Sequence, residues 1–124
     1  MLSDSPAIAT IPVKDLGLAR AFYSEKLGLK IEEDIPGVIT YRSGGARLFV
    51  YQSELAGTNR ATAATWEVKD VAALVKDLAA KGLKFEHYPN LPGLKIQGDL
   101  HIGDGMTAAW LKDPDGNILA LVSG

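Results

Sequence analysis

The chain has 124 residues, of which 47% are hydrophobic and 23% are charged, and its formal net charge at pH 7 is −2. A chain of this size and composition forms one globular domain that buries enough apolar surface to fold without metal or disulfide cross-links. It has no block of basic residues, no apolar run near the ~20 residues of a membrane span, no secretory signal pattern and no cysteine. We therefore expect a cytoplasmic protein that binds neither nucleic acid nor membrane and has no thiolate or disulfide chemistry.

The first half of the chain predicts the order β-α-β-β-β. Apolar residues at helical spacing follow Asp15, whose carboxylate can cap a helix, and Gly28 can take the left-handed conformation that ends it. Apolar and β-branched runs on either side predict strands, two of which are joined by a glycine-rich turn. The predicted elements are a strand over 7–13, a helix over 16–27 and strands over 29–34, 38–42 and 47–52.

The second half predicts the same order after a polar linker over 53–62. Asp70 can cap a helix that Gly82 ends, in the same places relative to a preceding apolar strand as Asp15 and Gly28. The last two strands form a hairpin over the turn 113–117, which reads Asp-Pro-Asp-Gly-Asn. The predicted strands are 63–68, 83–88, a weak strand over 95–102, then 107–112 and 118–122.

Two short segments recur along the chain and support this division. Residues 13–16 (VKDL) recur as 68–71 (VKDV), and residues 28–32 (GLKIE) recur as 82–86 (GLKFE). A long period that occurs only twice favours two copies of one supersecondary unit over a solenoid. We predict an α+β fold in a single domain, 1–124, built from two βαβββ modules over 7–52 and 63–122, with a ligand-binding cleft near their joint.

The combination of these motifs resembles the vicinal oxygen chelate superfamily, which includes glyoxalase I, extradiol dioxygenases, fosfomycin-resistance enzymes and bleomycin-binding proteins. The resemblance rests on a Val-x-Asp opening of both helices, Leu27-Gly28-Leu29 after Phe22-Tyr23, and the turn 113–117. It implies a curved mixed sheet around a cleft with both helices outside. It also implies a homodimer, because members of this superfamily are commonly dimers.

The resemblance also implies four positions for metal ligands, usually His and Glu, and none of them is retained. They fall on Ile8, Ala63, Ala120 and, to within one residue, Tyr51. Divalent metals need several nitrogen or oxygen donors together, so we predict no metal, no cofactor and no catalytic residue at these positions.

Two histidines leave room for a different site. His101 could act with Glu67 or Asp99 as a metal or acid–base group, or it could be an ordinary hydrogen-bonded or surface histidine.

Strand alternation predicts which side chains face the cleft. With 113–117 as the turn, Trp110 lies opposite Ala120, and the Gly44-Gly45 turn places Arg42 opposite Arg47. Trp66 and Tyr41 alternate onto the other face and are predicted to belong to the core. The predicted cleft residues are Trp110, Tyr51, Phe49, Arg42, Arg47, Thr65, Glu67 and Thr10.

Aromatic walls with two arginines favour a small planar or apolar ligand that carries an acidic group. The arginines could instead be a solvated hairpin tip. Three functions follow from the sequence: a metal-free small-molecule binding protein, a superfamily enzyme with an unusual acid–base or metal site, or a module that binds another protein.

Overall fold

The computed structural model describes all 124 residues, and each half of the chain forms a strand, a helix and a small sheet, as predicted. Helix α1 spans Leu16–Arg20 and continues as a π-helical segment over Ala21–Lys26, and α2 spans Val71–Ala80. Neither helix is long and apolar enough to cross a membrane. The strands are β1 (Ala9–Val13), β2 (Lys30–Ile35), β3 (Val38–Ser43), β4 (Ala46–Gln52), β5 (Thr62–Glu67), β6 (Phe85–Glu86), β7 (Lys95–Gln97), β8 (Leu100–Gly103), β9 (Met106–Lys112) and β10 (Ile118–Ser123).

The predicted helix caps are present in both modules. The Asp15 carboxylate accepts hydrogen bonds from the backbone N–H groups of Gly17 and Leu18, at 2.8 and 3.2 Å. Asp70 accepts one from Ala73 N at 3.0 Å. Such bonds satisfy donors that the first turn of a helix leaves unpaired, so the repeated aspartate fixes where each helix begins.

The two sheets have matching strand orders that meet at β1 and β5. The first sheet runs β1-β4-β3-β2, and the second runs β5-β10-β9 and then continues to β8 and β7, with β6 also paired to β9. β1 is parallel to β4 and β5 is parallel to β10, while the hairpins β3–β4 and β9–β10 are antiparallel. β1 and β5 lie side by side where the modules join.

The second module departs from the prediction between residues 83 and 103. Instead of strands over 83–88 and 95–102, the chain forms the two-residue strand β6 and then a hairpin, β7–β8, around Gly98, whose φ is +60°. β6 and β8 together pair with β9 in the place that β2 takes on β3. Residues 87–99, which contain two prolines, lie between these two strands, leave the edge of β9 and form β7 on the outer edge of β8; we call this segment the excursion.

One hydrophobic core lies between the sheets and the two helices. It contains Tyr23 of α1 and Val75 of α2 together with strand residues of both modules, such as Ile11 and Leu119. Tyr41 is fully buried in it, and Trp66 packs against it while staying partly exposed, so both lie on the predicted side. The opposite side of the sheets, which we call the helix-free face, is therefore the one available for a site.

The turn 113–117 joins the two modules. The Asp113 carboxylate accepts hydrogen bonds from the Tyr23 hydroxyl on α1 and from the Asn117 side chain, both at 2.7 Å. Asn117 also donates to the Pro12 carbonyl at 2.8 Å, and Asp115 accepts from Lys14 N at 3.1 Å. This motif is therefore an inter-module clamp as well as a hairpin turn.

The stretch predicted as a linker is partly packed. Ala56 is buried, and a Cβ on Gly57 would lie 2.0 Å from the Asp115 carbonyl oxygen. The polar composition of 53–62 hid this contact, because a glycine that permits close backbone approach resembles a loop glycine in sequence.

Candidate functional site

The helix-free face has the side-chain register that alternation predicts. Trp110 pairs with Ala120 in the second sheet. Thr40 pairs with Phe49 and Arg42 with Arg47 in the first. A one-residue slip would have reversed every one of these side chains, so the positions of the two hairpin turns were sufficient to fix the face.

An aromatic cluster, formed by Tyr88, His101 and Trp110, occupies the second module's part of this face. The Trp110 ring stands edge-on to both His101 and Tyr88, with ring centroids 4.8 and 5.4 Å apart. The Trp110 Nε1–H donates to Thr62 Oγ1 at 3.2 Å. Edge-to-face packing and this hydrogen bond hold the indole in one orientation.

His101 is the fully buried member of this cluster. Its Nε2 accepts a hydrogen bond from Tyr88 N at 2.9 Å, so Nε2 carries no proton. Its Nδ1 and the Tyr88 hydroxyl are both buried with no hydrogen-bond partner. Burial, and then the charge of His87, lower the pKa of His101, whereas burial and then the Glu86 carboxylate raise the pKa of Tyr88.

The alternative site that pairs His101 with Asp99 or Glu67 is not formed. Asp99 binds His87 at 2.9 Å, and Glu67 lines a pocket beside Arg47 that does not include His101. No group of three or more His, Asp or Glu side chains is close enough to hold a metal ion. The other alternative of the sequence analysis, an ordinary hydrogen-bonded histidine, describes His101, because the β7–β8 turn places Asp99 at the neck of the excursion and His101 in the interior.

A pocket of about 220 Å³ opens beside the aromatic cluster. Its walls are mainly apolar and aromatic, and its single charged lining residue is Arg60. Thr62 begins β5 and Arg60 lies in the loop just before it. Trp110 and Ile118 come from the β9–β10 hairpin, and the excursion supplies a further side. The lining residues are Arg60, Ala61, Thr62, Tyr88, Leu91, Trp110 and Ile118.

The two arginines predicted for the cleft share a carboxylate that the sequence analysis missed. Glu32 lies 2.8 Å from Arg47 and 3.4 Å from Arg42. The pairing of β2 with β3 shifts between Ile31 and Glu33, so Glu32 lies at the irregularity. A bulge of this kind leaves no mark in an alternating sequence, and the arginine pair is therefore partly neutralised.

The main pockets divide the predicted cleft residues into separate groups. Arg47, Thr65 and Glu67 line one pocket of about 350 Å³, and Arg42 and Arg47 line another of about 260 Å³. Trp110 belongs to neither, and Phe49, Tyr51 and Thr10 line none of the five main pockets.

The ends of β1 explain this separation. The β3–β4 turn lies at its N-terminal end, where Ala46 and Arg47 share a pocket with Ala7. The β9–β10 turn lies at its C-terminal end, where Asp115 binds Lys14. Alternation predicts a common face but not a common end, so the arginine pair and Trp110 are apart.

Residues 6–121 match the family model described as the Glyoxalase/Bleomycin resistance protein/Dioxygenase superfamily. The chain belongs to this superfamily. Among curated protein sequences, no match is found.

Solved structures of this superfamily have the same fold. A bleomycin resistance determinant encoded on transposon Tn5 is 25% identical, with a TM-score of 0.71, covering 97% of this chain and 98% of that one. A lactoylglutathione lyase from Agrobacterium tumefaciens is 18% identical, with a TM-score of 0.72 and coverage of 97% and 93%. An antibiotic-binding protein from a Streptomyces species is 23% identical, with a TM-score of 0.67 and coverage of 94% and 92%.

The register corrects one of the four metal positions that the superfamily resemblance implies. Thr10 and Thr65 are equivalent in the two modules, and they pair with Phe49 and Ala120 respectively. The residue equivalent to Ala120 is therefore Phe49, and not Tyr51, which pairs with Pro12. The sequence alignment placed Phe49 beside Ile118, two residues away from this register.

The residues at these positions do not fit a metal. With Ile8, Phe49, Ala63 and Ala120, all four are hydrocarbon side chains without a donor atom. Metal-dependent chemistry at the superfamily's usual position therefore has no ligands in this chain.

Proposed function

We propose that this superfamily member binds a small planar molecule beside Trp110 on the helix-free face, without a metal at the superfamily position. The observation that carries the proposal is the fixed, partly exposed indole of Trp110 on the wall of a mostly apolar pocket. Such a pocket with few polar groups is the usual form of a small-molecule site. A rigid aromatic ring offers stacking area at little conformational cost.

Two observations favour binding over catalysis. The four positions that hold a metal in the superfamily's enzymes carry hydrocarbon side chains, so a binding protein loses nothing by their replacement. His101, the histidine packed against Trp110, is buried with Nε2 occupied by Tyr88 N. A general acid or base must reach the proton that it transfers, and this ring does not line the pocket. The bleomycin resistance determinant and the antibiotic-binding protein support a binding function by analogy.

The two tryptophans provide the test, because they lie on opposite faces of the second sheet. Trp66 packs against the core and donates its Nε1–H to Ser43 at 2.7 Å, whereas Trp110 lines the pocket. In ¹⁵N–¹H spectra, Trp66→Phe and Trp110→Phe assign the two indole N–H signals. Titration with 1-naphthalenemethanol, a neutral planar probe, should shift the Trp110 signal and leave that of Trp66 in place.

Trp110→Ala should weaken binding of this probe by about 1–3 kcal/mol if the ring is a binding anchor. The loss of folding stability should be smaller than the roughly 3–5 kcal/mol of a fully buried aromatic truncation, because Trp110 is partly exposed. Isothermal titration and urea unfolding measure the two effects. A shift at Trp66 alone, or a Trp110→Ala protein as unstable as a core variant, would contradict the proposal.

A further inference from the structure

Arg60 differs from every other arginine of the chain. Arg20 is paired with Asp34, and Arg42 and Arg47 are paired with Glu32. Arg60 is the remaining one of the four, and it has neither a carboxylate partner nor a side-chain hydrogen bond. It is exposed and lines the pocket beside Trp110.

The charges around this pocket leave the Arg60 guanidinium uncompensated. Glu86, which pairs with Trp110 across β6 and β9, is bound by Lys112 at 3.3 Å, so these two charges offset each other. Asp99 is held by His87 at the neck of the excursion. The pocket therefore presents an aromatic wall and one free positive charge.

This arrangement matches a ligand with a flat ring and an anionic edge. A guanidinium binds a carboxylate through two parallel N–H···O bonds, which a single point charge does not provide. The ring of such a ligand can lie against the exposed part of the indole while its acid group reaches the mouth of the pocket. We propose that Arg60 selects a planar aromatic carboxylate for the site proposed above, on which this inference rests.

The inference moves the acid-binding role from the arginine pair to Arg60. The sequence analysis favoured Arg42 and Arg47, but their shared Glu32 already supplies the carboxylate that they would take from a ligand. They also line pockets near Ile8 and Ala7, at the other end of β1 from Trp110. Arg60 was missed because it stood in a stretch interpreted as a linker.

The test compares two probes that differ only in the acid group, 1-naphthoate and 1-naphthalenemethanol. Their affinities are measured by isothermal titration on the wild type, Arg60→Gln, Arg60→Lys, Arg47→Gln and Arg20→Gln. The Arg20 variant is the matched control, because it removes the same charge from the helix side of the protein.

We expect Arg60→Gln to weaken 1-naphthoate binding roughly 5- to 20-fold, the range of one charge-assisted hydrogen-bonded contact at a partly exposed site. The affinity of Arg60→Lys for 1-naphthoate should fall between those of the wild type and Arg60→Gln, because lysine keeps the charge and loses the second hydrogen bond. Binding of 1-naphthalenemethanol should be unchanged in all variants, and Arg20→Gln should bind both probes as the wild type does.

The outcomes separate the two proposals. If both probes shift the Trp110 indole signal and Arg60→Gln binds 1-naphthoate as tightly as the wild type, the Arg60 inference is wrong and the binding site stands. The same holds if Arg47→Gln, and not Arg60→Gln, produces the loss. If neither probe shifts the Trp110 signal, the proposed function itself fails, and the role of Arg60 fails with it.

Discussion

At the scale of single residues, His101 shows how a buried polar side chain can be part of the scaffold. Its Nε2 accepts from the backbone N–H of Tyr88, and its ring packs edge-to-face with Trp110. Protonation would place a hydrogen on the acceptor nitrogen and break the bond to Tyr88. Burial lowers the pKa of His101, which also favours the neutral ring that this hydrogen bond requires.

A pH dependence of stability follows from that lowered pKa. The unfolded chain, with a histidine pKa near about 6.5, binds the proton before the folded protein does. The contribution of neutral His101 to the free energy of unfolding is therefore complete above this pH. It decreases as the pH falls below this value, by at most about 1.4 kcal/mol per pH unit. Urea unfolding at pH 7.5 and 5.5 measures the decrease.

The matched control is His101→Gln, whose side chain can still accept from Tyr88 N but does not titrate. Its unfolding free energy should vary less between the two pH values than that of the wild type. Equal variation in the two proteins would mean that His101 is not the titrating group.

At the scale of elements, the close approach of the 53–61 loop to the turn 113–117 depends on one glycine. Gly57 and Gly44 both have a positive φ, +74° and +59°, but a Cβ on Gly44 meets nothing within 4 Å. Gly44→Ala should therefore cost only the left-handed strain, about 1 kcal/mol. Gly57→Ala adds an overlap with the Asp115 carbonyl and should cost about 2–5 kcal/mol. Thermal or urea unfolding of the two variants gives the difference, and equal costs would show that the loop is free to move away.

The helix starts and the hairpin registers could be predicted from the sequence, whereas the bulge and the end of the loop could not. Asp15 and Asp70 act on their own first turns, so the helix starts and the repeat were predictable from local chemistry. The hairpin turns fixed the register of Trp110 and Arg42 for the same reason. Glu32 and Arg60 were missed because a β-bulge and the end of a loop are set by tertiary contacts, which no local pattern contains.

At the scale of the whole molecule, the two modules share one core and one clamp, so they should unfold together. Tyr23→Phe removes the buried hydrogen bond that α1 makes to Asp113 and should lower the unfolding free energy by about 1–3 kcal/mol. Tyr88→Phe is the matched control, because its hydroxyl has no partner and its removal should be neutral or stabilising.

Both variants should show one urea transition, coincident by tryptophan fluorescence, which reports the second module, and by circular dichroism, which reports both. Separate transitions would contradict a common core.

The excursion over 87–99 has a consequence for how the protein could change its ligand. In the first module one strand, β2, lies beside β3, whereas in the second the place beside β9 is divided between β6 and β8, with residues 87–99 between them. The His87–Asp99 and Tyr88–His101 contacts close the neck of this excursion, so its tip can vary without disturbing β9. Because the loop before β7 supplies Leu91 to the pocket, exchanging a few residues between 89 and 94 would reshape the ligand's surroundings while the paired strands stay in place. Only the second module carries such a segment, so selection for new ligands could act there without altering the first module.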